Sequence, residues 1–421
     1  MLESKRWPHL TGGTAARVIL SFATAYFISF GLRGVNAVLA PDLIAVFGLT
    51  NASLGGLTAA YFLGFMSVQL PLGVVLDRFG ARRVHAGLIL IAALGCALEA
   101  AATSFTALIA GRVLIGVGVA AALMASYKAF RHWFAADRQP QLVSWMLMAG
   151  ATGALTSTLP VQMLVPYVGW RGVFWICAVL LGLCSLAIYF FLPRDEEQAS
   201  AERAAMQSGS LWQGYGQIFS SPFFWRFAIF SVAFHSHFIS LQTLWIVPWC
   251  VKVFGFSAEQ AAGILFGFNL SLLCGFIAMG PLVPRALARG ITVANIAFVS
   301  GCIFLALALT VSLVPLASLW WLFIVMGLGG AAFNTVQPYV AHAFPINLSG
   351  RVLTAYNLMI FGGLFLVQWA FGIVVDIFIA DGFEQAQAFR FTMFSWACVQ
   401  ALSLTVFWFW RPPPPLATQA K

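Results

Sequence analysis

Long apolar runs alternate with short polar intervals along almost the whole chain, and this pattern predicts a bundle of membrane-spanning helices. A spanning helix needs about 20 mostly apolar residues. Helices also satisfy every backbone polar group in hydrocarbon, where water is absent. We therefore predict twelve transmembrane helices, which cover residues 17–39, 53–76, 84–103, 106–129, 141–164, 172–192, 226–250, 258–280, 292–314, 319–341, 352–376 and 391–410.

The one long polar interval lies between the sixth and seventh runs and reads RDEEQASAERAAMQSGS. Its content of Glu, Gln, Ala and Ser is typical of a solvated linker or a surface helix. The interval divides the chain into two sets of six helices. The prediction is an all-α integral membrane protein with an N-terminal six-helix bundle at 1–192, a cytoplasmic linker at 193–225, and a C-terminal six-helix bundle with a short cytoplasmic tail at 226–421.

The distribution of Lys and Arg predicts the orientation of these helices. If both termini are cytoplasmic, the opposite side receives only Arg171, Lys252 and Arg390, and three further cations fall inside apolar runs. The other sixteen of the 22 Lys and Arg then lie on the cytoplasmic side. Such a positive-inside bias predicts a multi-pass protein of the cell inner membrane with cytoplasmic termini. The net charge of +9 is mostly this topology signal, so we expect no nucleic-acid partner.

Composition excludes several other classes of protein. A chain with 61% hydrophobic residues would leave no water-compatible surface as a soluble domain. The seven cysteines form no CxxC pair, so we expect neither a disulfide framework nor a zinc site. The sequence contains no phosphate-binding loop and no Ser/His/Asp constellation. We expect no enzyme activity, no cofactor and no bound metal.

Charge is concentrated in the loop between the second and third predicted helices, which reads GVVLDRFGARR from Gly73 to Arg83. The spacing GxxxDRxGxRR resembles the loop signature of the major facilitator superfamily. The pattern RxxxGxG, at Arg112, Gly116 and Gly118, is similar to a second signature of that family. With the division into six plus six helices, the resemblance covers nearly the whole chain. It implies the major facilitator fold and alternating access between two rocking bundles.

The residues of this loop can also be interpreted physically. Gly80 permits a tight turn. A carboxylate and three guanidiniums at a helix junction can pair with one another and with exposed helix ends. An acid gains nothing from the positive-inside rule, whereas the arginines could simply anchor the topology. With Arg112, the coupling or gating residues predicted from the two signatures are Asp77, Arg78, Arg82 and Arg83.

Polar groups inside apolar helices are the candidates for a binding site, because placing them in hydrocarbon costs free energy. In the first helix, Tyr26, Ser29, Arg33 and Asn36 form one stripe at helical spacing. Arg33 lies roughly 24 Å from the start of the helix, which is past the bilayer midplane. Its partner is either a substrate, the backbone carbonyls, or the peripheral acid Glu99.

The predicted helices contain more cations than acids. Arg33, Arg112 and Lys128 fall inside apolar runs, whereas Glu99 and Asp376 lie near helix ends. A surplus of buried positive charge is tolerable if the substrate supplies negative charge. We therefore predict an anionic substrate, with a carboxylate the first choice. Lys128 is either a substrate ligand or a snorkelling residue near the cytoplasmic end of its helix.

The seventh helix carries His235 and His237, which point about 200° apart on a helix and cannot share one metal ion. His235 shares a face with Ser231 and Gln242. Because histidine changes charge near physiological pH, His235 is a candidate proton carrier, and the alternative is a neutral histidine bonded to a neighbouring helix. The family resemblance implies that helices one, four, seven and ten line the cavity. The substrate-binding residues predicted on this basis are Tyr26, Arg33, Asn36, Lys128, His235, Gln242, Asn334 and Gln337.

A basic residue in helix one resembles the pattern in organic anion:cation symporters. Helix seven lacks the arginine that carriers of phosphate esters place there, which disfavours phosphate esters. We predict a monomeric secondary transporter in the lipid bilayer that imports a small organic anion with protons. The alternatives are an exporter of drugs or metabolites and a carrier of metals or metallophores.

Overall fold

The computed structural model describes residue 10 and residues 12–135, 138–192, 214–314, 316–345 and 348–415. The chain is almost entirely helical over these residues, and it contains no β-strand there. The α-helices, in chain order from α1 to α17, are Gly12–Phe47, Asn51–Ser67, Gln69–Ala100, Phe105–Val119, Ala122–Trp133, Gln139–Thr156, Leu159–Phe191, Tyr215–Phe219, Pro222–Ala233, His235–Ser240, Ile246–Lys252, Ala258–Ala288, Val293–Leu313, Trp321–Gly330, Val336–His342, Ser349–Ala380 and Gln385–Phe409.

Two long helices contain sharp reversals at glycine. In α3, Gly80 has φ 79° and ψ 158°, and in α7, Gly169 has φ 66° and ψ 170°. This region of backbone space is essentially restricted to glycine, because a Cβ atom would clash with the chain. Gly80 therefore ends the second predicted helix and starts the third without an intervening loop. Gly169 does the same between the fifth and sixth.

Eleven of the described segments are long and apolar enough to cross a bilayer. Because Gly80 and Gly169 divide α3 and α7, and α6 continues into α7 after a two-residue turn at Ser157 and Thr158, the path of the chain fits twelve crossings. The prediction of an all-helical, twelve-helix membrane protein is confirmed. The linker predicted at 193–225 lies outside the described residues up to position 213.

The first helix is longer than its apolar run predicts. It was expected to end near position 39, and it continues to Phe47 through Pro41. A proline inside a helix removes one backbone hydrogen bond. Membrane helices tolerate this loss because neighbouring groups can satisfy the freed carbonyl.

The chain divides into two compact units. The first unit contains Met1–Arg33, Gly64–Thr156 and Tyr167–Leu211, and the second contains Gly34–Leu63, Ser157–Pro166 and Trp212–Lys421. Helices α1, α2 and α7 each contribute one part to each unit. In consequence, Asn36 belongs to the second unit although Arg33 belongs to the first.

Within the first unit, α3 and α4 pack in direct backbone contact. A Cβ atom on Gly118 would overlap Ala92, and one on Gly111 would lie 3.0 Å from the carbonyl oxygen of Gly95. Small residues let helices approach closely in a membrane, where packing rather than the hydrophobic effect drives their association. The glycine of the RxxxGxG signature at Gly118 therefore has a structural role. Together with Gly111, the residue next to Arg112, it brings α4 against α3.

Candidate functional site

An ion pair between Glu99 and Arg112 is buried within the first unit. Arg112 Nε is 2.8 Å from Glu99 Oε1, and the two side chains are 1% and 0% exposed. The Ser104 side chain caps the start of α4, so the α3–α4 hairpin turns within four residues. This turn places the carboxylate of Glu99 beside the guanidinium of Arg112. Arg112 also donates from Nη1 to the carbonyl oxygen of Leu32, at 3.2 Å. One guanidinium thus links α1, α3 and α4.

This pairing decides one question that the sequence left open. Glu99 was one of the partners considered for Arg33, and the structure pairs it with Arg112 instead. Phe174 of α7 covers the guanidinium of Arg112 at 5.0 Å from ring centroid to Cζ. The sequence offered a usable signal, since two opposite charges lie in apolar helices joined by one short turn.

Arg33 is half-buried in α1 among aromatic rings. Its Cζ atom is 4.2 Å from the ring centroid of Phe30 and 5.9 Å from that of Phe65. The ring of Tyr26 meets Phe30 edge to face at 4.9 Å. Cation–π contacts of this kind help to hold a guanidinium in place. Tyr26 therefore packs against Phe30, the ring that contacts the guanidinium of Arg33.

Glycines of α6 bring that helix close to this part of α1. A Cβ atom on Gly150 would lie 2.6 Å from the ring of Tyr26, and one on Gly153 would overlap the carbonyl oxygen of Phe27. The backbone of α6 thus packs directly behind Tyr26 and Phe27. This contact holds Tyr26 in place from one side, and Tyr26 in turn contacts the Phe30 ring beside Arg33.

Two other predicted cations of the first unit donate to backbone carbonyls at helix ends. Lys128 Nζ donates to the carbonyl oxygen of Leu76 at 3.2 Å. Arg82 Nη1 donates to the carbonyl oxygen of Tyr189 at 3.0 Å, and Arg83 is exposed. These contacts fit the interpretation in which basic side chains secure the ends of helices. The side chains of Asp77 and Arg78 lie outside the described part of the chain.

In the second unit, the seventh predicted helix is irregular at its centre. It ends one α-helical segment at Ala233, starts another at His235, and then forms a π-helix over Leu241–Trp245. Short π-helical turns inside α-helices are frequent at functional sites. The Gln242 side chain in this π-helix donates from Nε2 to Asn269 Oδ1 of α12 at 2.6 Å. No feature of the sequence indicated the π-helix.

The two histidines of this helix occupy different surroundings. His235 is 7% exposed and its ring packs against Phe333 at 6.2 Å. His237 is fully buried, and Gln400 Nε2 approaches its Nδ1 at 3.1 Å among the rings of Phe304, Phe371 and Trp396. His237 therefore packs as a structural residue against α17. The described residues contain no group of three His, Cys, Asp or Glu that could hold a metal ion.

The remaining predicted residues of the second unit form pairs rather than one cluster. Asn36 Nδ2 donates to Thr58 Oγ1 at 3.3 Å and is fully buried. Gln337 Nε2 donates to Asn357 Oδ1 at 2.8 Å, which links α15 to α16. Asn334 is exposed on the 3₁₀-helix Ala331–Thr335. Irregular turns therefore occur in both the seventh and the tenth predicted helices.

Comparisons with known proteins agree with this architecture. A family model described as Major Facilitator Superfamily matches residues 22–368. The hexuronate transporter of Escherichia coli (strain K12) is 25% identical over 264 residues, which are 60% of this chain and 61% of that protein. The chloramphenicol resistance protein of Streptomyces lividans is 28% identical over 300 residues, which are 65% of this chain and 74% of that protein. The first of these matches spans only about three fifths of the relative's length.

The fold is similar to that of a solved bacterial homolog of the human lysosomal transporter Spinster. The TM-score is 0.74 at 16% sequence identity, and the likeness covers 94% of this chain and 97% of that chain. Apolar helices with buried polar pairs define a multi-pass membrane protein. The chain belongs to the Major Facilitator Superfamily.

Proposed function

We propose that this transporter imports a small organic anion, a carboxylate, across the inner membrane by alternating access and couples the import to protons. It acts as a monomer with both termini in the cytoplasm, and the two bundles at 1–192 and 226–421 rock about the binding site. The observation that carries this proposal is the position of Arg33, a guanidinium placed on aromatic rings deep in an apolar helix. A bound anion offsets the cost of that charge.

The chemistry of Arg33 favours a carboxylate. A guanidinium presents N–H groups in a planar fork that matches two carboxylate oxygens. Phe30 contacts the guanidinium carbon and limits the orientations of the fork. Among relatives, the hexuronate transporter of Escherichia coli (strain K12) is named for a sugar acid, which has one carboxylate and several hydroxyls. This likeness supports sugar acids as the first substrates to test.

A sugar acid also needs groups that bind hydroxyls. The polar residues proposed for this role are Tyr26, Asn36, Lys128, His235, Gln242, Asn334 and Gln337. The amide pair of Gln242 and Asn269 can exchange its mutual hydrogen bond for bonds to a hydroxyl at little net cost. Gating remains assigned to Asp77, Arg78, Arg82 and Arg83, and coupling to Arg112 and His235.

A thermal-shift screen of the purified protein tests this proposal. The panel contains D-glucuronate, dicarboxylates, sulfonates, phosphate esters, chloramphenicol and divalent metal ions. A ligand at 100 times its Kd stabilises the native state by about 2.7 kcal/mol. We expect D-glucuronate or another carboxylate to raise the Tm of the parent protein and of Arg289→Ala, a control at an exposed arginine. Arg33→Ala should lose the response.

Two results would contradict the proposal. Stabilisation by cations or metals alone would exclude an anionic substrate. An unchanged carboxylate response in Arg33→Ala would make Arg33 a structural residue.

Drug export is a second candidate function, since the relative from Streptomyces lividans is named a chloramphenicol resistance protein. A Tm rise with chloramphenicol and none with carboxylates would favour this alternative. Measurement of chloramphenicol efflux from cells that express the protein would then decide it.

A further inference from the structure

We propose that Glu99 is a proton-binding group of this transporter, in addition to His235, and that Arg112 transmits the protonation state of Glu99 to the helix of Arg33. This inference rests on the proposed proton-coupled anion transport and assigns that function a site. Among the described residues, Glu99 is the one buried carboxylate. An acid in such a position is costly and is retained in membrane helices mainly for function.

The geometry of the ion pair leaves room for a proton. Arg112 Nε lies 2.8 Å from Glu99 Oε1. A structural pair would gain most from two parallel N–H···O bonds. Among the described residues, no donor reaches Oε2, so a proton can bind to it without displacing a hydrogen bond. The pair is therefore held through Oε1, and protonation of Glu99 removes the negative charge that attracts Arg112.

Arg112 provides the connection to the substrate helix. Its Nη1 donates to the carbonyl oxygen of Leu32, the residue before Arg33. When Glu99 is ionised, the guanidinium divides its attraction between the carboxylate and this carbonyl. When Glu99 is neutral, the carbonyl becomes the stronger acceptor. Protonation thus changes the force on α1 one residue from the proposed anion ligand.

Glu99 also lies near the end of its helix. It is the penultimate residue of α3, and the turn that follows exposes Ala101, Thr103 and Ser104. A proton from the aqueous phase at this end of the helix needs to pass about one helical turn of protein. Binding of the proton forms one O–H bond on Oε2, and its release breaks that same bond. No other bond changes.

The charged and titratable groups around Glu99 are few. Arg112 faces it from α4, and the thiols of Cys96 on its own helix and Cys177 on α7 lie close enough to interact electrostatically with it. Arg171 of α7 donates to the carbonyl oxygens of Ala100 and Ala102 at the end of α3. Arg33 is the cation nearest to Arg112 along α1. None of these groups is a carboxylate, so none of them can take the place of Glu99 as the proton-binding acid.

The first experiment measures proton binding without any substrate. Purified protein in weakly buffered detergent, with a pH-sensitive dye, is titrated between about pH 5 and about pH 8, a range in which exposed carboxylates are already ionised. We expect the parent and Glu259→Gln, a control at an exposed acid, to bind one proton more than Glu99→Gln over this range. Equal proton binding in all three proteins would overturn the inference.

The second experiment measures coupling in proteoliposomes with D-glucuronate. Glu99→Gln fixes the neutral form, so we expect it to keep counterflow exchange of D-glucuronate and to lose accumulation driven by an inward proton gradient. Glu259→Gln should keep both activities. Accumulation by Glu99→Gln at the level of the parent would contradict the assignment.

Two further controls separate the causes of failure. If Glu99→Gln does not fold, the double variant Glu99→Gln/Arg112→Gln replaces the ion pair by two neutral amides and is tested by the same dye titration. If the parent itself does not transport D-glucuronate, that result counts against the substrate class proposed above. The dye titration still decides whether Glu99 binds the proton.

Discussion

The carboxylate of Asp376 caps the helix that begins at Asn51, although the two residues are 325 positions apart in the chain. Oδ1 accepts hydrogen bonds from the backbone N–H and the side-chain Nδ2 of Asn51, at 3.2 and 2.8 Å, and Oδ2 accepts one from the N–H of Ala52 at 2.7 Å. The start of a helix leaves N–H groups without partners and carries partial positive charge. An anion there is stabilising. Asn51 and Asp376 both belong to the second unit, so this contact lies within that unit.

We expect Asp376→Ala to destabilise the folded protein by about 2 kcal/mol, since it removes a charged helix cap with three hydrogen bonds. Thermal unfolding in detergent measures the effect. Asp381→Ala is the matched control, because Asp381 is exposed at the end of the same helix. Equal Tm values for the two variants would show that the cap contributes nothing.

Gly372 lies one helical turn before Asp376 and sets how closely α16 approaches α2. A Cβ atom at Gly372 would overlap the carbonyl oxygen of Asn51, which is backbone and cannot rotate away. We expect Gly372→Ala to lower the Tm and to weaken the Asp376 cap, with a cost of about 1–3 kcal/mol for overpacking. Gly263→Ala, on an open face of α12, should leave the Tm unchanged or raise it. The opposite order of Tm values would exclude this explanation.

Phe30 positions the guanidinium of Arg33 by a cation–π contact at 4.2 Å. Such contacts contribute about 0.5–2 kcal/mol, so Phe30→Leu should weaken anion binding by roughly 2- to 30-fold. Phe30→Tyr keeps the aromatic face and should bind within about 2-fold of the parent. Isothermal titration with the anion identified in the thermal-shift screen checks both. Equal losses in the two variants would point to packing rather than to the ring face.

The hydrogen bond between Gln242 and Asn269 can be measured by a double-mutant cycle. Each single change, Gln242→Leu or Asn269→Leu, leaves a polar partner without its bond and should cost about 1–3 kcal/mol. The double variant should cost less than the sum, with a coupling energy of about 1 kcal/mol. Chemical unfolding of the four proteins gives the cycle. Additive costs would indicate that the hydrogen bond between Gln242 and Asn269 is not formed in the purified protein.

The glycine of the loop signature has its own prediction. Gly80→Ala places a Cβ atom at φ 79° and ψ 158° and should cost about 1–3 kcal/mol of strain. Gly87→Ala is the control, since it lies in the helical part of α3 with open space around it. Thermal unfolding of both variants provides the measurement. A Gly80→Ala protein as stable as the control would mean that the reversal can move to another residue.

The sequence predicted the helices well because each one satisfies its own hydrogen bonds and must be apolar over a fixed length. It also predicted the reversal at Gly80, since a signature glycine between two helices restricts the backbone locally. Contacts between distant helices were harder to predict. The Asp376 cap depends on where α16 meets α2, and Asp376 alone appeared only as a peripheral acid.

The candidate site was predicted only in part. Arg33 was chosen as a candidate because an arginine in an apolar helix is costly, and the structure shows its aromatic surroundings. The choice of Arg112 rather than Arg33 as the partner of Glu99 depends on the close packing of α3 on α4. The π-helix at Leu241–Trp245 has no local sequence signal, because packing rather than composition determines a wide turn.

The wide turn at Leu241–Trp245 gives the seventh helix a means of rotation. A π-turn closes its hydrogen bonds between residues five apart instead of four, so it holds one residue more than an α-turn. If this segment rewinds as an α-helix, the part beyond it, Ile246–Lys252, must rotate by about 100° and advance by about 1.5 Å. Trp249, now fully buried, would then face a different neighbour. The end of the seventh helix can therefore adopt two rotational positions, one with the π-turn and one without it.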